Sequence, residues 1–399
     1  MDGSRSGRRM AFVTDWYGPV SCPCWRFAAV ALLRRALVAL GVAGVIAAVL
    51  RVRGSGGTPP QQGGWRELSG PRPRMRVLLI GAGAVGARAA RQLVEATDVD
   101  EVLVCDDDGA RRAAVVLATG DKATDGGPSV DAAVDAVLLA GPVGSHVAMA
   151  AMHLSAGRPV VSTSDSITDV QALLNLDAEA QARQVSVVVG AAFSPGYSCV
   201  LARHASARFD EVDEVHIARS GTGGPACARQ HHASLTGHSL DWRDGGWQRR
   251  PAGSGRELCW FPDPIGAEDC YRAELPDALL LRPVFAGVGR VTARLAATRR
   301  DRLSAHLPML RKPHPEGLVG ATRVEVRGRR NGATEVLVLG ALDRPAVAAG
   351  AVAALATRWA VAGRLPVGAH GLGAITEPVP FLDELATVGI KAAVFEGGS

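Results

Sequence analysis

The sequence predicts an α/β protein: a Rossmann-type parallel sheet with helices on both faces, followed by a second α+β domain expected to hold a substrate. Three observations carry this. Val77 to Ile80 is a short apolar run that leads directly into Gly81-Ala82-Gly83-Ala84-Val85-Gly86, a G-x-G-x-x-G pattern, and then into a stretch of helical period. Apolar runs then alternate with helical stretches to about residue 207. Beyond that point Val212 to Ala218 and Thr322 to Val326 alternate apolar and polar residues, as half-buried strands of a different sheet do.

The glycine loop has a physical task at each position. Gly81 makes the tight turn, Gly83 lets backbone approach a pyrophosphate, and Gly86 lets the helix pack on the strand. Ala82, Ala84 and Val85 complete the cradle, and the helix that begins there points unpaired N–H groups and a positive dipole end at the phosphates. Val102 to Val104 forms the second strand and ends in Asp106, Asp107 and Asp108. A carboxylate there can accept hydrogen bonds from ribose hydroxyls, and Asp106 and Asp107 are the candidates. Three consecutive carboxylates repel a 2′-phosphate, so NAD is the favoured cofactor. NADP is the alternative, with Arg111 and Arg112 as the residues that would answer its phosphate.

Arg111 to Ala118 reads as a short helix and Thr119 to Ser129 as a loop, which abbreviates this half of the fold. Ala136 to Ala140 is the next strand and closes in Gly141-Pro142, where small residues leave room for a dinucleotide. His146 to Ala156 is a helix, Pro159 to Ser162 a strand ending at Thr163, and Asp169 to Gln184 one longer helix. Val185 to Val189 closes in a turn containing Ser194, Pro195 and Gly196. Ligands of open α/β sheets lie outside the carboxyl ends of strands, so these loops should converge. The four regions expected are an extension and linker (1–74), a dinucleotide domain (75–207), an α+β substrate domain (208–340), and a C-terminal helix and strand packing back on the body (341–399).

The chain has 399 residues and a net charge of +5. Residues 1–74 hold 11 arginines against 3 acidic residues, whereas the remainder has 33 basic and 36 acidic residues. The basicity therefore belongs to the extension and does not argue for nucleic acid. Residues 36–50 are a fifteen-residue apolar run. A helix of that length reaches about 22 Å, short of a hydrocarbon core of about 30 Å. Starting at Phe27 supplies the length but places Arg34 and Arg35 inside, at about 2.5–3.5 kcal/mol each near the centre. A membrane anchor through residues 27–50 with a cytoplasmic body, an export signal, and an extension outside a fold that begins at Met75 remain three readings of this segment. The third implies a cytoplasmic protein with no membrane contact. Seven cysteines at irregular spacing suit buried thiols in a reducing compartment, and no metal motif is present.

MRVLLIGAGAVG at the first strand, LLAGPVGSH at the fourth, VVSTSDS at the fifth and VVVGAAFSPGYSCVLARHA at the sixth together resemble the saccharopine dehydrogenase-like family of NAD(P)-dependent oxidoreductases. The resemblance covers residues 75–399 and is densest to about Ala207. It implies a Rossmann domain plus a substrate domain, and hydride transfer between NAD(P) and a small imine or carbonyl substrate, amino-acid derived in several members. Residues 220–315 match no pattern of that family, so the substrate does not carry over. The Thr-Ser-Asp strand end lacks the Glu-Lys-Pro of the neighbouring glucose–fructose oxidoreductase-like family, which fits less well.

With the hydride carried by the cofactor, the protein must position it and handle a proton. Asp165, in the loop after the fifth strand, is the first candidate; helix capping by Ser164 and Asp165 is the plainer reading. His204 is the second, against a structural histidine. Ser194, Pro195, Gly196 and Arg219 are candidate substrate contacts. His231-His232, with Arg219 and Arg229, would suit an acidic substrate or belong to a solvated loop. A dinucleotide-binding sensor or partner subunit without turnover is the alternative function, and a homo-oligomer is compatible with either.

Overall fold

In the computed structural model, the described residues are 34, 35, 37, 38, 41, 75–128, 133–309 and 312–395. The chain divides into two compact units, Met1–Gly70 and Pro71–Ser399. In the first, Arg34, Arg35, Leu37, Val38 and Gly41 are helical and exposed. Most of the apolar segment 36–50, and the linker after it, lie outside the described residues. Among the described residues no helix is long and apolar enough to cross a membrane.

The second unit begins with β1 (Met75–Ile80), α1 (Ala84–Glu95), β2 (Val99–Cys105), α2 (Gly109–Thr119), β3 (Ala123–Gly127) and β4 (Ala136–Leu139). It continues through α3 (His146–Ser155), β5 (Val160–Ser162), α4 (Ile167–Leu174), α5 (Asp177–Arg183), β6 (Ser186–Val189) and α6 (Tyr197–Ser206). Then come β7 (Glu211–Ser220), α7 (Pro225–Ser234), β8 (His238–Arg243), β9 (Gly246–Pro251), β10 (Glu257–Trp260), β11 (Ala267–Tyr271), α8 (Asp277–Leu281), β12 (Arg290–Ala296) and α9 (Arg299–Ser304). The chain closes with β13 (Gly320–Arg330), β14 (Ala333–Asp343), α10 (Pro345–Val361), β15 (Gly368–Gly371), α11 (Pro378–Thr387) and β16 (Ala392–Val394).

The first sheet runs β15-β6-β5-β4-β1-β2-β3, with every pair parallel. This is the Rossmann order, with a seventh strand added at the β6 edge. Val77, Leu78 and Leu79 of β1, Val137 and Leu138 of β4 and Val187 to Val189 of β6 are fully buried, as strands covered on both faces must be. The second sheet runs β10-β11-β12-β7-β13-β14-β16, with β8 pairing β12 and hairpinned to β9. Only β12 and β7 pair in parallel there. The fold expected from the sequence, a Rossmann-type parallel sheet plus a second α+β part, is the fold observed, and the second sheet is mixed.

Several local expectations need correction. Residues 123–127 are a strand; the segment has little apolar character because β3 is an edge strand pairing only with β2. The expected helix 169–184 is two helices, broken at Asn175-Leu176. The glycine-rich stretch after Pro366 contributes β15 to the first sheet. The alanine-rich helix packs against α1: a Cβ on Gly350 would sit 2.7 Å from the Ala89 nitrogen, so α10 and α1 meet at backbone distance.

Candidate active site

A cleft of about 990 Å³ is lined by the glycine loop, the ends of β4 and β5, the turn after β6, the end of β7 and the start of α7. That volume lies at the upper end of the range for ligand sites, about 300–1,000 Å³. The convergence of strand-end loops expected from the sequence is therefore present, joined by α7 from the second domain.

The glycine loop is built for close approach. A Cβ on Gly86 would lie 1.8 Å from the Gly81 carbonyl oxygen, and one on Gly81, whose φ is +109°, would lie 2.5 Å from the Ala140 carbonyl. These two glycines are packing positions. Gly83 is different: among the described residues no atom lies within 4 Å of where its Cβ would be, and it is the N-cap of α1 with no side-chain cap. No acidic residue sits in that helix's first turn, so the amide donors there face the cleft uncompensated. Ala82, Gly83, Ala84 and Val85 line the cleft, as do Ala140, Gly141, Pro142 and Thr163. These features fit a dinucleotide pyrophosphate.

Asp106 accepts hydrogen bonds from the Ala82 amide at 2.8 Å and from the Asp108 amide at 2.9 Å. It thus fixes the glycine loop to the end of β2, and each carboxylate oxygen keeps a lone pair for a further donor. Asp107 is exposed beside it and Asp108 caps α2. Arg112 is engaged: it pairs with Asp125 at 2.7 Å and donates to the Asp106 carbonyl. Arg111 lines the cleft but pairs with Asp108.

At the other end of the cleft, charged side chains converge. Arg219, on β7, is 4% exposed; it donates to the Ser194 carbonyl and to Asp165 Oδ2 at 3.2 Å. His231 Nε2 lies 3.6 Å from the same Asp165 oxygen and 3.6 Å from Cys227 Sγ. Burial would raise the Asp165 carboxyl, but His231 and Arg219 hold it below the usual carboxylate range. Burial likewise opposes ionisation of Cys227 and His231. Each nonetheless shifts toward its charged form, the thiol lowered by His231 and the imidazole raised chiefly by Cys227. Behind Ser194, burial raises the Asp277 carboxyl, which accepts the Ser194 hydroxyl at 3.3 Å. His146 lines the cleft with its ring held by Ser162 at 2.9 Å and the Gly141 carbonyl at 3.0 Å; burial lowers its imidazole below the ordinary value.

Asp165 is not a helix cap: the N-cap of α4 is Ser166, without a side-chain bond. Ser164 instead donates to Asp169, which also accepts the Gly144 amide at 3.0 Å and so braces the Gly141–Gly144 turn. His204 does not line the cleft; it is exposed in the last turn of α6. Of the Ser194-Pro195-Gly196 turn only Ser194 lines the cleft. Gly196, at φ +122° and with the Ala192 backbone 2.3 Å from any Cβ, has a folding role. Residues 225–234 form α7, not a loop; His231 turns inward, while His232 bonds the Leu307 carbonyl at 2.9 Å. Cys227 and His146 were missed. The i, i+4 spacing of Cys227 and His231 was the available signal for the former, and it speaks only once the segment is known to be helical.

Residues 75–191 match the GFO/IDH/MocA model, described as an oxidoreductase family with an NAD-binding Rossmann fold. The match takes in the Thr-Ser-Asp strand end that, on sequence, argued against the glucose–fructose oxidoreductase-like family. Among solved structures, the chain is similar to apo saccharopine dehydrogenase (L-Glu forming) from Saccharomyces cerevisiae, at 15% identity and a TM-score of 0.61, covering 81% of this chain and 100% of that one. A second likeness, to an amine dehydrogenase from Mycobacterium smegmatis, has 13% identity, a TM-score of 0.46, and covers 75% of this chain and 96% of that one; it is too distant to bear on function. Residues 75–191 thus match a model of an NAD-binding Rossmann fold found in oxidoreductases, and the chain shares the fold of saccharopine dehydrogenase.

Proposed function

We propose that this protein is an NAD-dependent enzyme that transfers a hydride to or from a small carbonyl or imine carbon, in a substrate that is amino-acid derived. One observation carries the reading: open backbone amides at Gly83 and a buried cluster of charged side chains line the same cleft. Bound NAD would supply the hydride chemistry. The chain's own residues do the rest. Gly83 and the start of α1 hold the pyrophosphate, Asp106 accepts from the adenosine ribose, and Gly141-Pro142 lets the dinucleotide cross the strand ends. Asp165, held by Arg219, orients the substrate by accepting a hydrogen bond from a protonated imine nitrogen or from an alcohol or amine being oxidised. Ser194 and Arg219 border the substrate, and His146 keeps Gly141 and Ser162 in register.

The folded body is proposed to lie in the cytoplasm. Cys199, Cys227, Cys259 and Cys270, which form no disulfide among the described residues, suit a reducing compartment. A homo-oligomer is compatible with this body. The reading is tested by presenting the full chain with NADH and a panel of 2-oxo acids, with and without ammonia, and following NADH consumption against substrate-free blanks. Substrate-dependent turnover is the expected result. Tight NADH binding with no turnover across the panel would favour a dinucleotide sensor instead.

A further inference from the structure

We propose that Asp165, Cys227 and His231 form a zinc-binding site. Its position at the chemical end of the cleft rests on the dinucleotide reading above; its capacity to bind metal does not.

The argument begins with distances. Cys227 and His231 stand four residues apart on α7 and so project from one face of that helix. Asp165 arrives from the loop after β5. One ligating atom from each lies within 4.8 Å of the others. His231 Nε2 is 3.6 Å from Cys227 Sγ and 3.6 Å from Asp165 Oδ2. An N···O separation of that size is too long for a hydrogen bond. A tetrahedral zinc bound to sulfur, nitrogen and oxygen sets its ligand atoms about 3.4–3.6 Å apart, from the usual bond lengths. Two edges of the trio therefore have the length of a coordination shell, and the third, between Cys227 Sγ and Asp165, closes it within 4.8 Å.

The hydrogen-bonding capacity points the same way. A single imidazole nitrogen faces both a sulfur and a carboxylate oxygen. A protonated Nε2 has one hydrogen and cannot serve both, whereas an unprotonated Nε2 directs one lone pair at a cation shared with them. Cys227 and Asp165 in their ligating forms are two anions in a largely buried place, against one guanidinium from Arg219. A divalent cation balances that charge. The donor set selects the metal: a thiolate is wrong for magnesium or calcium, and thiolate with imidazole and carboxylate suits zinc. Arg219, donating to Asp165 Oδ2 at 3.2 Å, would orient that ligand from the second shell of contacts. With three protein ligands, zinc keeps its fourth position for water or for a substrate oxygen or nitrogen.

The test uses the full chain with Cys22→Ser and Cys24→Ser, so that this close pair cannot compete, and Co2+ as the spectroscopic probe. One equivalent should produce a thiolate-to-cobalt charge-transfer band in the near ultraviolet and the strong ligand-field bands of tetrahedral cobalt, both displaced by Zn2+. Cys227→Ser should lose the charge-transfer band, and His231→Asn should weaken Co2+ binding by about tenfold or more. Circular dichroism reports whether each variant is folded. Absence of the thiolate band, or its persistence in folded Cys227→Ser, overturns the proposal. A second route needs no variant: iodoacetamide labelling of Cys227, located by mass spectrometry, should slow about tenfold or more when Zn2+ is present, and equal rates overturn the site. NADH titration of the same samples reads the dinucleotide assignment separately, so intact NADH binding without a cobalt band sinks the metal alone.

Discussion

The two ends of the cleft recognise by different means. The end formed by the first sheet offers backbone: amides at Gly83 and Ala84, small side chains at Ala140 and Gly141, and one carboxylate, Asp106, spent largely on holding the loop. The other end offers buried side-chain charge: Arg219, Asp165, His231 and Cys227, drawn from β7, a strand-end loop and α7. Backbone recognition reads a feature that all dinucleotides share. Side-chain charge can be aimed at one reacting group and changed residue by residue. On the proposed function, separating the two ends in this way would let a common cofactor site serve a particular chemistry.

If that division holds, changes at the charged end should spare cofactor affinity. Asp165→Asn keeps the shape of the side chain but leaves Arg219 without its carboxylate. Turnover should fall by about 10²–10⁴-fold, while NADH affinity measured by nucleotide fluorescence stays unchanged. A parallel loss of both would merge the two ends into one unit. Gly86→Ala attacks the other end through packing, since its Cβ would meet the Gly81 carbonyl. Thermal unfolding should report a loss of about 1–3 kcal/mol or more, and NADH binding should fall with it.

Asp106→Ser sharpens the comparison within the cofactor end. It removes the charge that repels a 2′-phosphate and leaves Arg111 to answer one. The preference for NADH over NADPH should narrow by about tenfold, about 1.4 kcal/mol, when both nucleotides are titrated. An unchanged ratio would assign the preference elsewhere.

The smallest effect on function is expected far from the cleft. Glu325 on β13 is 8% exposed, and it accepts from Arg323 and Arg327 at 2.5 and 2.6 Å. Burial pushes its carboxyl up, but the two arginines outweigh this and hold it below its ordinary value. A group lowered in the folded state contributes stability above its unfolded value and loses it as pH falls through the folded one. Glu325→Gln should therefore cost about 1–3 kcal/mol at neutral pH, lose that deficit progressively under acid, and leave NADH affinity intact. A pH-independent deficit in thermal unfolding would remove the ion pairs as its cause.

The cofactor end was largely legible in the sequence because its requirements are local. Gly81, Gly83 and Gly86 act through spacing, and the strands around them must be apolar on both faces. The edge strands β3 and β15 were not legible: Asp125, Gly126 and Gly127, or Gly368 and His370, suffice where a strand is covered on one side only. The charged end was legible only in part. Asp165 and Arg219 were singled out, but 54 residues separate them and only the fold shows that they pair. α7 hid Cys227 and its pairing with His231, because a short polar helix without an apolar stripe reads as a loop. His204 had the right chemistry but does not line the cleft.

The most direct test of the account is an NADH titration of the full chain beside Gly83→Val, followed by nucleotide fluorescence. Among the described residues no atom lies within 4 Å of the added Cβ, so the variant should fold as the parent does. The account predicts saturable binding to the parent and a loss of affinity of about a hundredfold in the variant, about 2.7 kcal/mol, because the side chain would stand where the pyrophosphate meets the backbone. Equal affinity in a folded Gly83→Val protein would contradict it.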